Sequence, residues 1–455
     1  MGKLFGTDGI RGIVGQNLTA ELAFRVGQAV AVTLRQELGH RPQITIGKDT
    51  RISSDMLEAA LSAGICSVGG DVLLLGTVPT PAVAFLTVQE AADAGVVISA
   101  SHNPYEHNGI KVFNAKGYKL PDAMEERVEA LVLSDEVMPV ATGGELGRCR
   151  NAEQEMHEDY IHHLIGSLDC DLSGLRVLVD CANGAASATA PDLFQRLPVM
   201  ADFINIDPDG VNINSGCGST HLGQLSAMTA AGKYHLGIAF DGDADRCLLV
   251  DENGAEIDGD KIMAVCGMAL RRAGKLRGNA IVGTVMSNLG LHEFCRHEGI
   301  DLVCTAVGDR NVLEKMLECD YAIGGEQSGH MIFREFATTG DGELTALQFL
   351  AALKASGLSA SELVSCCAKY PQELINVTLA HAAGEKERVM ASPELWQAVR
   401  EQEEKLGGEG RILIRPSGTE PLIRVMVEAK TDEIARATAE FLSEMVKNIS
   451  KIVTI

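Results

Sequence analysis

A multi-domain α/β protein that ends in a smaller α+β domain is predicted by three features of the sequence. Its 455 residues are about three times the ~150 residues of an ordinary domain, so two to four domains are expected. Helical and extended hydrophobic patterns alternate through most of the length, the mark of α/β layering. Three apolar runs end in an aspartate near glycine: Ile44-Thr-Ile-Gly-Lys-Asp49, Val177-Leu-Val-Asp180-Cys-Ala-Asn-Gly184 and Gly237-Ile-Ala-Phe-Asp241-Gly242. That recurrence predicts repeated strand-loop-helix units whose strand ends face a shared site.

Taken in order, Leu22, Val26, Val30 and Leu34 mark one face of a helix that stops near Gly39. Ile44–Gly47 reads as a buried strand, residues 54–68 as a second helix and Val72–Gly76 as the next strand. Residues 138–150 have the small and polar mix of a connection. A strand ends in a turn at Asp251-Glu-Asn-Gly254, and the order of elements changes near Lys369-Tyr-Pro371. Beyond that point Leu374–Leu379, Arg411–Ile414 and Leu422–Val427 are strand-like. A helix follows with Ile434, Thr438, Phe441, Met445 and Ile449 on one face. The breaks divide the chain into domains at 1–150, 151–253, 254–368 and 369–455, the last an α+β unit of about 85 residues with its strands before its final helix.

Composition narrows the functional classes. The chain carries 39 Lys and Arg against 62 Asp and Glu, a net charge of -23, which argues against a polyphosphate backbone as its main partner. Its aromatics, 12 Phe, 6 Tyr and 1 Trp, are too few for the stacking platforms of single-strand binders. No run approaches the ~18 apolar residues of a membrane span. The opening Met1-Gly-Lys-Leu-Phe-Gly lacks the apolar region of a secretory signal, so a reducing cytoplasm is expected. The 12 cysteines include no C-x-x-C pair and fall mostly inside apolar runs, which predicts small core residues rather than zinc ligands.

Four short segments carry the chemistry. Ser99-Ala-Ser101-His102-Asn103-Pro104 follows the apolar run Gly95-Val-Val-Ile, and a strand that ends in a small, Pro-stopped loop can hold one hydroxyl rigidly exposed, which makes Ser101 the candidate nucleophile. Lys111, close along the chain, can neutralise a phosphoryl group or serve as acid or base. Asp241-Gly-Asp243-Ala-Asp245-Arg246 sets three carboxylates at alternate positions, able to turn oxygens onto one hard cation such as Mg²⁺. An EF-hand loop would need glycine where Arg246 stands. A phosphatase of the haloacid-dehalogenase type, with Asp241 as the phosphoryl acceptor, remains an alternative. Gly324-Gly-Glu326-Gln327-Ser328-Gly329-His330 has the mixture of groups that a ligand with several hydroxyls requires. Arg415-Pro-Ser417-Gly418-Thr419-Glu420-Pro421, with Arg424 beyond, combines guanidinium groups, hydroxyls and glycine amides as a phosphate cradle does.

Other segments are discounted. His157-Glu158 and His162-His163 read as the surface of an amphipathic helix. His292-Glu-Phe-Cys-Arg-His297 has the wrong spacing for a two-histidine metal site. Gly216-Cys-Gly218-Ser-Thr-His221 has histidine where a dinucleotide fingerprint needs its last glycine, so no nicotinamide site is predicted.

The order and content of the four loops together resemble the α-D-phosphohexomutase superfamily, and the resemblance runs essentially end to end. It implies a four-domain phosphohexomutase architecture, three similar mixed α/β domains plus the smaller C-terminal α+β domain, around a central cleft. The domains would carry, in turn, a phosphoserine loop, a metal loop, a sugar loop and a phosphate loop. Phe5-Gly-Thr-Asp-Gly-Ile-Arg11-Gly, Cys217-Gly-Ser-Thr-His221 and Gln327 are similar to members acting on glucosamine phosphates. Val307-Gly-Asp309-Arg310 departs from the many members that have histidine there.

The resemblance implies that Ser101, phosphorylated at rest, joins Asp241, Asp243 and Asp245 around one Mg²⁺ per chain. Its phosphoryl group would pass to glucosamine 6-phosphate, giving a 1,6-bisphosphate that reorients and returns its 6-phosphoryl group to Ser101, leaving glucosamine 1-phosphate for amino-sugar nucleotide and cell-wall precursor synthesis. Glucosamine or glucose 1,6-bisphosphate would act as activator. Arg11, Lys111 and Arg246 would be the nearby cations, with His330 a sugar contact or proton-transfer group. Glu326, Gln327 and Ser328 would hold the sugar, and Arg415, Ser417, Gly418, Thr419 and Arg424 the non-reacting phosphate. Residues 369–371 would act as a hinge. Members acting on glucose or mannose phosphates are the alternative, and the partners implied are phosphosugars, not nucleic acid or membrane, with a homodimer left open.

Overall fold

The computed structural model describes residues 4–6, 8–134, 136–379, 384–417 and 420–452. They form two compact units, one of residues 1–286 with 300–366 and one of residues 287–299 with 367–455.

The first unit contains three sheets. The first is built from β1 (Ile10–Ile13), β2 (Gln43–Lys48), β3 (Asp71–Thr77), β4 (Ala94–Ile98), β5 (His107–Asn114) and β6 (Cys149–Asn151), in the order β1-β5-β4-β2-β3-β6. β2, β3, β4 and β6 run parallel, whereas β5 pairs antiparallel with β4 and β1. The helix Ala20–Leu38 packs Val26, Val30 and Leu34 into the core beside this sheet and ends at Gly39 with φ 75°, the left-handed conformation that glycine adopts without penalty. Residues 54–67 form the second predicted helix. Within the predicted connection 138–150, the last two residues already belong to β6, which extends the parallel edge beside β3.

The second sheet comprises β7 (Arg176–Asp180), β8 (Met200–Ile204), β9 (Leu236–Phe240), β10 (Cys247–Asp251) and β11 (Glu256–Ile257), in the order β11-β10-β9-β7-β8. The third comprises β12 (Ala280–Thr284), β13 (Asp301–Thr305), β14 (Ile323–Gly325) and β15 (Met331–Phe333), in the order β13-β12-β14-β15. β4, β9 and β14 are fully buried strands. Their carboxyl ends open into the segments that begin at Ser99, Asp241 and Glu326, where open α/β sheets place their sites.

The second unit is an antiparallel sheet of β16 (Gln372–Thr378), β17 (Gly410–Pro416) and β18 (Leu422–Ala429), in the order β16-β18-β17, with the helix Asp432–Ile452 packed on it. Its three strands and final helix are those expected from the sequence. The buried face of the helix is so only in part: of the expected residues Thr438 and Ile449 are buried and Met445 packs against the core. Ala435, Thr438, Ala439, Leu442, Val446 and Ile449 are buried, while Ile434 and Phe441 are 44% and 48% exposed. The alanines let the helix backbone approach the sheet, so the contact stripe lies one residue from the bulkiest side chains.

Two surface expectations also change. Only six of the twelve cysteines are buried, and Cys149, Cys304, Cys319 and Cys366 are exposed. His163, expected on a helix surface, stacks on Phe85 with ring centroids 4.0 Å apart and bonds the Phe336 carbonyl through Nε2 at 2.9 Å. No helix among the described residues is long and apolar enough to cross a membrane.

Candidate active site

Three strand ends of the first unit bring Ser101, the aspartate triad and His330 together. Ser101 is 2% exposed and adopts φ 53°, a left-handed conformation that costs a non-glycine residue about 1–2 kcal/mol. Its N–H donates to Ser99 Oγ at 2.9 Å, and its own Oγ donates to Asp241 Oδ2 at 2.6 Å.

Asp241, Asp243 and Asp245 each offer a carboxylate oxygen, and these oxygens all lie within 4.8 Å of one another. All three residues are buried. Asp243 Oδ2 accepts from Thr80 Oγ1 at 2.7 Å and from Lys111 Nζ at 3.1 Å. Asp243 Oδ1 and Asp245 Oδ1 are buried without a hydrogen-bond partner among the described residues. Orphaned carboxylate oxygens are costly to bury, and a hard divalent cation is the group that satisfies such a donor set. The residues therefore fit a metal. Burial and then the neighbouring Asp245 and Asp243 raise the pKa of Asp241 well above the usual carboxylate range, while Arg246 and the Ser101 bond oppose the rise.

The cations expected here are present. Lys111, on β5, lies 3.2 Å from Asp8 and 3.8 Å from Asp245 in addition to its Asp243 contact. Burial opposes its charge, but Asp243, Asp8 and Asp245 outweigh that and raise its pKa. Arg11 pairs with Asp8. Arg246 donates its backbone N–H to Asp241 Oδ1 at 3.2 Å, and its Nε stands 3.9 Å from Asp245 Oδ1.

His330 sits between two acids, with Nδ1 3.6 Å from Asp245 and Nε2 3.8 Å from Asp309. Nε2 accepts the Gly340 N–H at 3.0 Å, which assigns the ring proton to Nδ1, facing Asp245. Burial lowers its pKa, but the bond to Asp245 and the charges of Asp245 and Asp309 raise it overall. Glu326 is half-buried and accepts the Gly308 N–H at 3.0 Å; Gln327 is half-buried and Ser328 exposed. The loop is pinned at Gly329, where φ is 92° and a Cβ would come within 2.4 Å of the Cys247 carbonyl oxygen, so only glycine fits.

Asp8, Lys119, Asp309 and Thr80 belong to this network and escaped the sequence reading. Lys119 Nζ lies 2.7 Å from both Asp8 and Asp309, so ion pairs run from Lys111 through Asp8 and Lys119 to Asp309, which faces His330. Asp8 lies inside the quoted opening segment and Asp309 inside Val307-Gly-Asp309-Arg310, which are signals of a sort. Lys119 and Thr80 have no local motif.

The second unit carries the remaining predicted residues. Arg415 on β17 and Arg424 on β18 are directly opposite in the ladder, an arrangement that repels unless an anion intervenes. Burial and then Arg424 lower the pKa of Arg415. Ser417 is buried, accepts the Glu420 N–H at 3.2 Å, and receives Lys386 Nζ on its carbonyl at 2.7 Å. Lys386 is a further cation that the sequence did not mark. Gly418 and Thr419 lie outside the described residues.

Phosphoglucomutase/phosphomannomutase family models match residues 2–137 (alpha/beta/alpha domain I), 158–254 (domain II), 258–370 (domain III) and 374–445 (C-terminal domain). A phosphoglucosamine mutase of Acetivibrio thermocellus is 53% identical over 431 residues, covering 94% of this chain and 95% of that protein. One of Desulforudis audaxviator is 51% identical over 452 residues, covering 99% of each. Among solved structures, a phosphoglucomutase/phosphomannomutase family protein of Burkholderia thailandensis superposes with TM-score 0.80 at 24% identity, covering 98% of this chain and 97% of that one. An Aspergillus fumigatus N-acetylphosphoglucosamine mutase, in complex with GlcNAc-6P and magnesium, superposes with TM-score 0.70 at 17% identity, covering 98% and 96%.

Proposed function

The chain belongs to the phosphoglucomutase/phosphomannomutase family, and from that premise we propose that it interconverts glucosamine 6-phosphate and glucosamine 1-phosphate through a phosphoserine and a 1,6-bisphosphate. The observation that carries this reading is Ser101 Oγ, 2.6 Å from Asp241 in a triad with two carboxylate oxygens that have no hydrogen-bond partner among the described residues. The full-length relatives support the choice of amino sugar.

In this reading Ser101 carries the phosphoryl group. The P–Oγ bond breaks as the free sugar hydroxyl bonds to phosphorus, and the hydroxyl proton leaves to a base. After the bisphosphate reorients, the other phosphoryl group returns to Ser101 Oγ and the sugar oxygen regains a proton. Mg²⁺, held by Asp241, Asp243, Asp245 and the phosphoserine, would neutralise charge on the transferring group. Lys111, kept cationic by three acids, serves electrostatics rather than proton abstraction. His330, with its ring between Asp245 and Asp309, is the proton-transfer group. Arg11 and Arg246 add positive charge, Glu326, Gln327 and Ser328 take the sugar, and Arg415, Ser417, Arg424 and the glycine-threonine pair 418–419 take the idle phosphate. Residues 1–150, 151–253, 254–368 and 369–455 are then four domains with one loop each, in a cytoplasmic enzyme activated by a hexose 1,6-bisphosphate.

The test compares the 6-phosphates of glucosamine, glucose and mannose with Mg²⁺ and a trace of glucose 1,6-bisphosphate. Glucosamine 6-phosphate should have a kcat/KM at least about tenfold above the others, the scale on which one functional group discriminates. Faster turnover of glucose or mannose 6-phosphate would reassign the substrate to a neutral hexose.

A further inference from the structure

Ser101 is held by more than its own loop. Its carbonyl oxygen accepts from Arg51 Nη2 at 3.1 Å and from Asn214 Nδ2 at 2.9 Å. The Asn103 carbonyl accepts from the same two atoms, at 2.6 and 3.2 Å. Arg51 follows β2 of the first sheet, and Asn214 lies between β8 and β9 of the second, so the loop is gripped from two sheets at once.

Both donors are themselves fixed. The Arg51 side chain is fully buried and paired with Asp49, which also accepts the Arg51 N–H and the Ser54 hydroxyl at 3.0 Å each. Arg51 Nη1 reaches Ser99 Oγ at 3.4 Å, the oxygen that holds the Ser101 N–H. Asn214 is 7% exposed, adopts φ 58° and donates its N–H to the Ala182 carbonyl at 2.9 Å. The neighbouring residues close the seam: Thr50 Oγ1 donates to the Asn183 carbonyl at 2.6 Å and the Ile52 N–H to the Gly210 carbonyl at 2.9 Å.

The metal loop abuts this clamp directly. A Cβ on Gly242 would stand 2.5 Å from the Ser101 carbonyl oxygen and 2.7 Å from Asn214 Nδ2. Asn214 is thus wedged where the serine loop meets the backbone between Asp241 and Asp243. Carbonyl oxygens need only one donor each for satisfaction; two shared donors from opposite sides fix a position.

Resting on the phosphoserine reading above, we infer that Arg51 and Asn214 are positioning residues that grip the Ser101 and Asn103 carbonyls and so set the placement of Ser101 Oγ against the aspartate triad. Loosening the clamp misplaces the phosphoryl donor and slows transfer, while the sugar and its phosphate find their sites intact, because small displacements of reacting groups are costly in rate.

The experiment measures single-turnover phosphoryl transfer from labelled phosphoenzyme to glucosamine 6-phosphate, together with steady-state constants and melting temperature. Asn214→Gly removes the amide that donates to both carbonyls and leaves the left-handed backbone unstrained; Arg51→Lys keeps the charge beside Asp49 but replaces the planar fork. Each should lower the transfer rate constant about 10–100-fold with KM within about twofold. A merely structural role would lower melting temperature and burst amplitude but leave the rate constant of the surviving enzyme unchanged. That result, or wild-type rate constants in both variants, overturns the clamp. If Asn214→Gly does not fold, the rate constant of Arg51→Lys decides. Failure of the wild-type enzyme to isomerise any hexose phosphate would instead overturn the functional reading itself.

Discussion

The two regions that supply positive charge are built on opposite principles. Around the triad the cations are interleaved with acids: Lys111 lies among Asp243, Asp8 and Asp245, and Lys119 between Asp8 and Asp309. In the C-terminal unit Arg415 faces Arg424 across the ladder, and the ion pair described for either is the 3.3 Å contact of Arg424 with Glu420. The first region sets cations and acids side by side around a triad whose two orphaned oxygens a metal would satisfy, a preorganised field of the kind that stabilises a transition state. The second is a concentration of like charge that an anion stabilises. The net charge of -23 conceals both. Damage to the first should appear in kcat, and damage to the second in KM.

The largest effect tests the first half of that contrast. Ser101→Ala should reduce mutase turnover by on the order of 10⁴-fold or more, as loss of a covalent nucleophile does, while binding of glucosamine 6-phosphate remains measurable by calorimetry. Phosphopeptide mapping should place the enzyme's phosphate on Ser101. Full activity of the alanine variant, or a stable phosphate found on Asp241, would return the site to the aspartyl-phosphate alternative.

The second half predicts a smaller effect of another kind. Arg415→Ala or Arg424→Ala should raise KM for the sugar phosphate about 10–100-fold, since a charge-assisted hydrogen bond contributes ~1.5–3 kcal/mol, with kcat changed less than about threefold. Added salt should weaken binding further, because these arginines are partly exposed. A fall in kcat with KM unchanged would erase the distinction between the two regions.

The contrast also explains how much of the site was legible in the sequence. The triad was legible because its three carboxylates lie within five residues, Asp241 to Asp245, so one strand end fixes them all. Ser101 was legible for the same reason, and Lys111 because β5 returns beside β4. The Arg415 to Arg424 hairpin is likewise local. What stayed hidden is what folding brings together: Lys119 joins residues 111 positions back and far ahead in the chain, and Arg51 reaches across to Ser101 from another strand. The architecture of alternating strands and helices followed from periodicity. The buried face of the last helix followed only in part, because periodicity weighs bulk, whereas close packing on the sheet favoured Ala435 and Ala439 over Ile434 and Phe441.

The smallest effect concerns an acid with the opposite surroundings to Asp8 and Asp309. Burial raises the pKa of those two, but Lys111 and Lys119 on Asp8 and Lys119 and His330 on Asp309 overrule it and hold both carboxyls low. Glu343 is fully buried, its Oε1 accepts from Thr189 at 2.6 Å, and its Oε2 has no partner among the described residues. Burial pushes its pKa from 4.5 to about 8, the Thr189 bond opposes, and Asp341 adds to the rise. Burial also pushes Asp341, which accepts from Tyr160 at 3.0 Å, to about 6, and burial with Glu343 and Asp180 raises the Cys181 thiol. A raised folded-state pKa means that the folded chain holds the extra proton. Its contribution to stability is complete below about pH 4.5 and disappears as pH rises through about 8. Asp341 contributes with the same sign but is spent by about pH 6. Between pH 6.5 and 8 the wild-type protein should therefore lose up to ~2 kcal/mol from this one group, a few degrees in melting temperature. Glu343→Gln, which cannot ionise, should flatten that slope, whatever its absolute stability. An identical slope in variant and wild type would mean that Glu343 is already charged in the folded protein, and that burial without a cation does not keep an acid neutral here.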